Sequence, residues 1–355
     1  MKPKTAFGRF LVYLMLLCGS VMFAAPLAWL LSTALKPIDQ TMKMPPTWIP
    51  MAYYATVNGR YMEVTRDAMV EPGIWHVTEY SPDKMRRKGL MSANVPESQI
   101  TARIHPRWEN FSIALATIGG RSIEEAQGSV KKRGDPANQD TRVPFWRFLG
   151  NSAFVGIFGV LGAVLSNAII AYGFARIRWR GRDVLFAITM ATMMVPFPVL
   201  MVPLYGIFRS LGWIGTLKPL WAPAFFGNAF NIFLMRQFFL TIPEELSEVA
   251  RIDGCSEWKI FWHVILPLSK PVLAVVALFQ FLGSWNDFMG PLLYLTRKHT
   301  FTLALALQNY QSQHGGVQWH YLMAASAVMI FPIIVLFFLT QKTFIKGIAT
   351  TGLKG

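Results

Sequence analysis

Six apolar runs, each near the length of a bilayer crossing, constrain this chain more than any other feature. A spanning helix needs roughly 20 apolar residues, within a range of about 17 to 25. Residues 10–35, 151–174, 184–208, 219–235, 264–285 and 321–340 meet that requirement. Arg236 and Lys270 stand at the ends of the fourth and fifth runs, where their long stems can carry the charge out to the interface. The first run is too long for a signal-peptide core and no small-residue cleavage pattern closes it, so it reads as a retained span. Composition agrees: only 15% of the residues are charged, against about 25% in soluble domains.

The formal charge of +15 would suggest a nucleic-acid partner in a soluble protein. Here the basic residues sit in loops between apolar runs, the topogenic use of Lys and Arg, and no nucleic-acid binding is expected. With the N-terminus inside, the cytoplasmic pieces hold 14 basic residues, among them Lys2, Arg9, the run Arg176 to Arg182, Arg251, Lys259 and Lys346. The short outer loops hold four: Arg209, Lys218, Arg297 and Lys298. Both termini are therefore expected in the cytoplasm. Cys18 lies in an apolar run and Cys255 in a charged segment, which implies neither a disulfide nor a Cys-based metal site.

The long stretch between the first two spans, residues 36–149, is the place for an extracytoplasmic insertion. "ATVNGRYMEVT" carries Asn-Gly between strand formers, a hairpin signal, and "GIWHVTEY" and "SQITARIHP" also read as extended. A small β-rich module over about residues 50–107 is expected, followed after Asn110 by a polar connector, partly helical or disordered.

The segment 241–267 is charged with both signs, yet sits between apolar runs. Thr241 and Glu244 have capping-box spacing and Pro243 suits a first helical turn. Asp253-Gly254 is a helix stop, Ser256 can cap a second short helix, and Trp258, Phe261 and Trp262 fall on one helical stripe. Such a hairpin either inserts into a groove on another protein or lies on lipid headgroups. Three glutamates in its first helix oppose contact with an anionic leaflet.

The residues Glu248, Val249, Ala250, then Gly254, then Val264, Ile265, Leu266 and Pro267 resemble the EAA loop of ABC-importer permeases. That pattern is Glu-Ala-Ala, three residues, Gly, nine residues, Ile, one residue, Leu-Pro. Val249 stands at one Ala, the other being kept as Ala250, and Val264 replaces the Ile. "RFLGNSAFV", "SWNDFMGPLLYL" and the tail "KGIATTGLKG" are similar to the carbohydrate-uptake branch, in particular its maltose-type second permease subunit. The resemblance covers the first span and the chain from about Arg147 onward, about two-thirds of the residues; the outer insertion is longer than in the plainest members.

The resemblance implies an all-α polytopic membrane protein with about six transmembrane helices, the type I importer permease fold. It implies a bacterial inner-membrane location. The chain divides into residues 1–35 (cytoplasmic N-terminus and first span), 36–149 (insertion), 150–341 (permease core) and 342–355 (cytoplasmic tail). Glu248, Ala250, Asp253, Gly254, Leu266 and Pro267 would form the joint that seats on an ATP-binding cassette ATPase dimer. A second homologous permease and an extracytoplasmic solute-binding protein would complete the assembly in the lipid bilayer. ATP and Mg would be bound by the partner ATPase, with no cofactor on this chain.

No engine is encoded in the chain itself. The nearest approach to a phosphate-binding loop, Gly347 to Gly352, has Leu353 where lysine is required and no preceding strand. None of the six histidines has helical metal-site spacing, no paired carboxylates lie within a span, and a Gly-x-Ser-x-Gly elbow is absent; the chain is not expected to be an enzyme. Asn228 and Asn231 could line a solute path or join helices. Trp285, Asn286 and Asp287 form the other candidate pathway group, Asp287 being an acid near a membrane boundary or simply a helix-end residue. Pro196, Pro198 and Pro203 predict a kinked third span. The expected function is import of a sugar, oligosaccharide or related polyol; a secondary carrier and a non-transporting scaffold that docks an ATPase are the alternatives.

Overall fold

The computed structural model describes residues 6–81, 90–120, 142–313 and 318–351. The chain divides into two compact units, residues 1–136 with 309–330, and residues 137–308 with 331–355.

In the first unit, helix α1 (Ala6–Ala34) fulfils the first predicted span. It leads into strands β1 (Met51–Val57), β2 (Arg60–Glu71), β3 (Ile74–Glu79), β4 (Ser92–Pro96) and β5 (Thr101–Ile104). They form one sheet in the order β4-β3-β2-β1-β5, antiparallel throughout. The predicted Asn-Gly hairpin is present: Asn58 and Gly59 both take positive φ, 51° and 78°, as a tight two-residue hairpin turn requires. The turn sets the register Val57↔Arg60 and Tyr53↔Val64. Ala55, Val57, Val64, Val77 and Val95 make the sheet's apolar core. Strand β4 was not anticipated, because "SANVP" is too short and polar to show a strand pattern.

Helix α2 (Glu109–Ile118) ties the sheet module to the end of α1. Asn110 donates through Nδ2 to the carbonyls of Ala34 and Lys36 at 2.8 and 3.0 Å. The Arg107 amide donates to Leu35 at 2.9 Å, and the buried Arg107 guanidinium pairs with Glu63. The expected connector beyond α2 lies largely on residues 121–141, outside the described residues.

In the second unit, α3 (Phe145–Ala175) fulfils the second predicted span. The third is broken, as its prolines require: α4 (Arg182–Ala191) and α5 (Phe197–Ser210) belong to two helical segments that meet at 101°. The bend falls at Val195-Pro196, where the ring removes a donor. The fourth run, predicted as one helix, is corrected. A helical turn at Lys218–Trp221 and a 3₁₀ segment at Ala222–Phe226 stop at Gly227, and α6 (Ala229–Thr241) starts afresh with 13 residues. The break is captured by α3: Ser166 Oγ donates to the Ala224 carbonyl at 2.9 Å, and Asn167 Oδ1 accepts the Asn228 amide at 2.7 Å.

The fifth run is bent as well, by 79° at Ser269, before α9. Ahead of it come α7 (Glu245–Ile252) and α8 (Glu257–Ile260); α9 is Lys270–Asn286. Short α10 (Met289–Tyr294) and α11 (Leu303–Gln313) follow. The last run is α12 (Trp319–Thr351), which gives its first turns to the first unit. Among the described residues three helices are uninterrupted and apolar enough to span, or up to five if each bent pair counts as one. The fourth run, divided at Gly227, is not among them.

Close approach to α3 is paid for in side-chain size. A Cβ on Gly162 would lie 2.4 Å from the Phe225 ring, and one on Gly156 3.1 Å from Phe281. Farther along α3, Ala171, Tyr172, Met235, Phe239, Ile260, Phe261, Ile265 and Val276 form the apolar core.

Candidate functional site

The charged segment folds into two short helices that leave the core and return to it. Helix α7 ends in a left-handed residue: Gly254 has φ +77°, a region costly for side chains with a Cβ. The Cys255 amide reaches back to the Ala250 carbonyl at 2.9 Å and the Gly254 amide to that of Arg251 at 3.0 Å. This pair of bonds is the glycine-terminated helix stop that Asp253-Gly254 predicts. Ser256 caps α8 as expected, its Oγ accepting from the Lys259 amide at 3.4 Å.

One expectation is corrected. Thr241 does not cap α7: it closes α6, and its Oγ1 donates to the Phe238 carbonyl at 2.7 Å. The aromatic stripe is present, Trp258 on Phe261 and Phe261 on Trp262 with ring centroids 6.1 and 5.3 Å apart, but it does not face one way. Trp258 and Trp262 are 60% and 47% exposed, while Phe261 turns into the core against Tyr172, ring centroids 5.1 Å apart. A π turn follows at Phe261–Ile265.

What α7 offers outward is mixed. Leu246, Val249 and Ile252 are exposed, the last 85% so, beside exposed Glu248, Asp253 and Gly254. Its one buried residue is Ser247. Ala250 is partly buried against the core, where a larger side chain would push the hairpin away. Leu266 packs on the same core, and Pro267 lies in the turn Leu266–Leu268 before the bend into α9. The six predicted joint residues therefore occupy one hairpin and its return.

A polar network that the sequence reading missed holds the hairpin's base. Tyr172 of α3 donates its hydroxyl to Glu257 Oε2 at 2.6 Å, and Arg251 Nε donates to Glu257 Oε1 at 2.9 Å. The hydrogen bond to Glu257 raises the Arg251 guanidinium above its ordinary pKa. Arg176, just past α3, donates to the Phe239 carbonyl at 2.6 Å and to that of Ile242, at the C-terminal end of α6. Arg236 of α6 reaches the Phe174 carbonyl at 3.4 Å. Each helix end thus receives a cation from its neighbour, where the helix dipole favours one. Arg178 meets Glu244 at 3.5 Å, both exposed. Nothing local marks these partners; a Tyr and an Arg one turn apart at the end of a span are the only hint.

The pathway candidates lie in two places. Asn228 caps α6, accepting from the Asn231 amide at 3.2 Å, and Asn231 is buried in the first turn. At the end of α9, Trp285 is buried and stacked on Phe281 with centroids 5.3 Å apart. Asn286 donates to the Leu282 carbonyl at 2.9 Å. Asp287 accepts from the Gly290 amide at 3.0 Å. Asn228, Asn286 and Asp287 all bond to chain neighbours, the geometry of helix ends. Among the described residues no three His, Cys, Asp or Glu stand together as metal ligands would.

Residues 157–350, which include the hairpin, match the family described as binding-protein-dependent transport system inner membrane component. The arabinooligosaccharides transport system permease protein AraQ of Halalkalibacterium halodurans is 36% identical over 211 residues, 59% of this chain and 75% of that protein. The sn-glycerol-3-phosphate transport system permease protein UgpE of Escherichia coli O1:K1 is 31% identical over 241 residues, 68% of this chain and 84% of that one. The trehalose/maltose transport system permease protein MalG of Thermococcus litoralis is 30% identical over 217 residues, 61% and 78% of the two chains. Among solved structures, a bacterial ABC transporter involved in import of the acidic polysaccharide alginate matches with a TM-score of 0.52 and 25% identity, covering 66% of this chain and 89% of that one.

Proposed function

The chain belongs to the binding-protein-dependent transport system inner membrane component family, and on that footing we propose that it is a permease subunit of an ATP-driven importer for a sugar, oligosaccharide or related polyol. The observation that carries the reading is the hairpin. A helix with one buried residue, exposing Leu246, Val249 and Ile252 beside Glu248 and Asp253, is shaped to seat in a groove on another protein.

In this reading the hairpin and both termini are cytoplasmic, and residues 36–149 are an extracytoplasmic insertion. The broken runs cross the bilayer in pieces, so that six crossings are made although fewer helices are continuous. Glu248, Ala250, Asp253, Gly254, Leu266 and Pro267 form the joint with an ATPase dimer, which binds ATP and Mg. A second homologous permease completes the pathway and a solute-binding protein delivers the solute. When the ATPase closes, the hairpin moves with it and the helical core changes its accessible side. The carbohydrate class rests on the relatives' named substrates and on the alginate importer. Asn228, Asn231, Trp285, Asn286 and Asp287 are proposed to border the solute path, the side-chain bonds of Asn228, Asn286 and Asp287 fixing the helix ends there.

The test is purification in mild detergent with identification of the associated chains, together with uptake of a panel of labelled sugars. An ATPase should co-purify, and uptake of at least one sugar should stop on ATP depletion. Uptake that survives depletion while the ion gradient is intact would make the chain a secondary carrier. An associated ATPase with no solute moved would make it a scaffold.

A further inference from the structure

An outward hairpin can pull on a membrane core only if something fixes its register there. Apolar contacts resist separation but are non-directional, so Ile260, Phe261 and Ile265 in the core would hold the hairpin without specifying its rotation. Hydrogen bonds supply direction, and those to a charged acceptor are the shorter and stronger ones.

One carboxylate gathers three helices. Glu257 belongs to α8, accepts from Arg251 of α7 through Oε1 and from Tyr172 of α3 through Oε2. The other polar tie of α7, Glu244 to Arg178, is wide at 3.5 Å and exposed on both sides. Beyond Tyr172 the linkage continues, since α3 and α6 exchange arginines at their C-terminal ends through Arg176 and Arg236. A displacement of α7 has a directional route into the α3–α6 pair.

We infer that Tyr172 and Glu257 are positioning residues that lock the hairpin's register to α3, so that hairpin movement is passed to the paired ends of α3 and α6. This deepens the reading of the hairpin as an ATPase joint and rests on it. The two residues touch neither solute nor nucleotide.

The test uses the assembled transporter with its ATPase, second permease and binding protein, reconstituted in vesicles. Solute imported and ATP hydrolysed are measured in the same preparation. Tyr172→Phe removes only the hydroxyl and keeps the ring against Phe261. It should leave the amount of co-purified complex and the hydrolysis in place while solute moved per ATP falls on the order of fivefold, a coupling change of ordinary size. Glu257→Gln should change the ratio in the same direction. The double variant should be no worse than the more affected single, because one bond is shared. An unchanged ratio in Tyr172→Phe overturns the proposal. So does a parallel loss of transport, hydrolysis and assembled complex, which marks a role in folding alone. Ile252→Glu separates the two levels. If it abolishes ATPase association while Tyr172→Phe keeps the ratio, only the latch fails; if association persists, the joint itself fails and the latch with it.

Discussion

The backbone amide of Asn228 donates to the side-chain oxygen of Asn167 at 2.7 Å, across 61 residues of sequence. Asn167 is fully buried and spends its own amide on the Ala163 carbonyl. This contact satisfies the break in the fourth apolar run from α3 instead of from a continuing helix.

Asn167→Ala removes a fully buried side chain and takes the acceptor from the part-buried Asn228 amide, and should cost about 1–3 kcal/mol. Ser166→Ala removes a donor from a carbonyl that has a second lone pair, and should cost about 0.5–1.5 kcal/mol. Unfolding of the purified chain in detergent measures both, and the reverse order would contradict the assignment.

At Gly162 the constraint is space. A Cβ would stand 2.4 Å from Phe225, so Gly162→Ala should destabilise by roughly 1–3 kcal/mol through overpacking. Phe225→Ala in the same chain should recover part of that loss. Additive costs in the double variant would show that the two groups do not meet.

Gly254 has no atom within 4 Å of the Cβ position, so only its φ of +77° restricts it. Gly254→Ala should cost about 1–2 kcal/mol locally, and Gly254→Asn less, since Asn tolerates the left-handed region. Hydrogen exchange at the Cys255 amide, which bonds to Ala250, reports the loss. Equal protection in Gly254→Ala and the parent chain would refute it.

Ile252 is 85% exposed, and replacing it by Glu should change stability by no more than about 0.5 kcal/mol, as surface substitutions do. ATPase co-purification should nonetheless drop severalfold. Retention of the ATPase with an unchanged unfolding midpoint would place the docking surface elsewhere.

Much of the site was legible in the residues themselves. Asp253-Gly254 and Ser256 state where two helices stop and start, and each is satisfied by neighbours within five residues. Asn58-Gly59 declares its hairpin in the same way, and Pro196 marks the bend between α4 and α5. Thr241 misled because its spacing fits a cap, while the hydroxyl found a carbonyl in the helix behind it. The stripe of Trp258, Phe261 and Trp262 was legible too, whereas the inward turn of Phe261 onto Tyr172 depends on the core.

The apolar runs and the turn residues by themselves determined that this chain is built from membrane-length helices with a sheet module and a charged hairpin. Those signals act between residues close in sequence, where helix period and turn geometry leave few choices. Tertiary structure alone decided which helix ends meet. Tyr172 and Glu257, 85 positions apart, carry no mark of each other. Their bond depends on how α3 is rotated and how far the hairpin folds back, and packing of the whole core sets both.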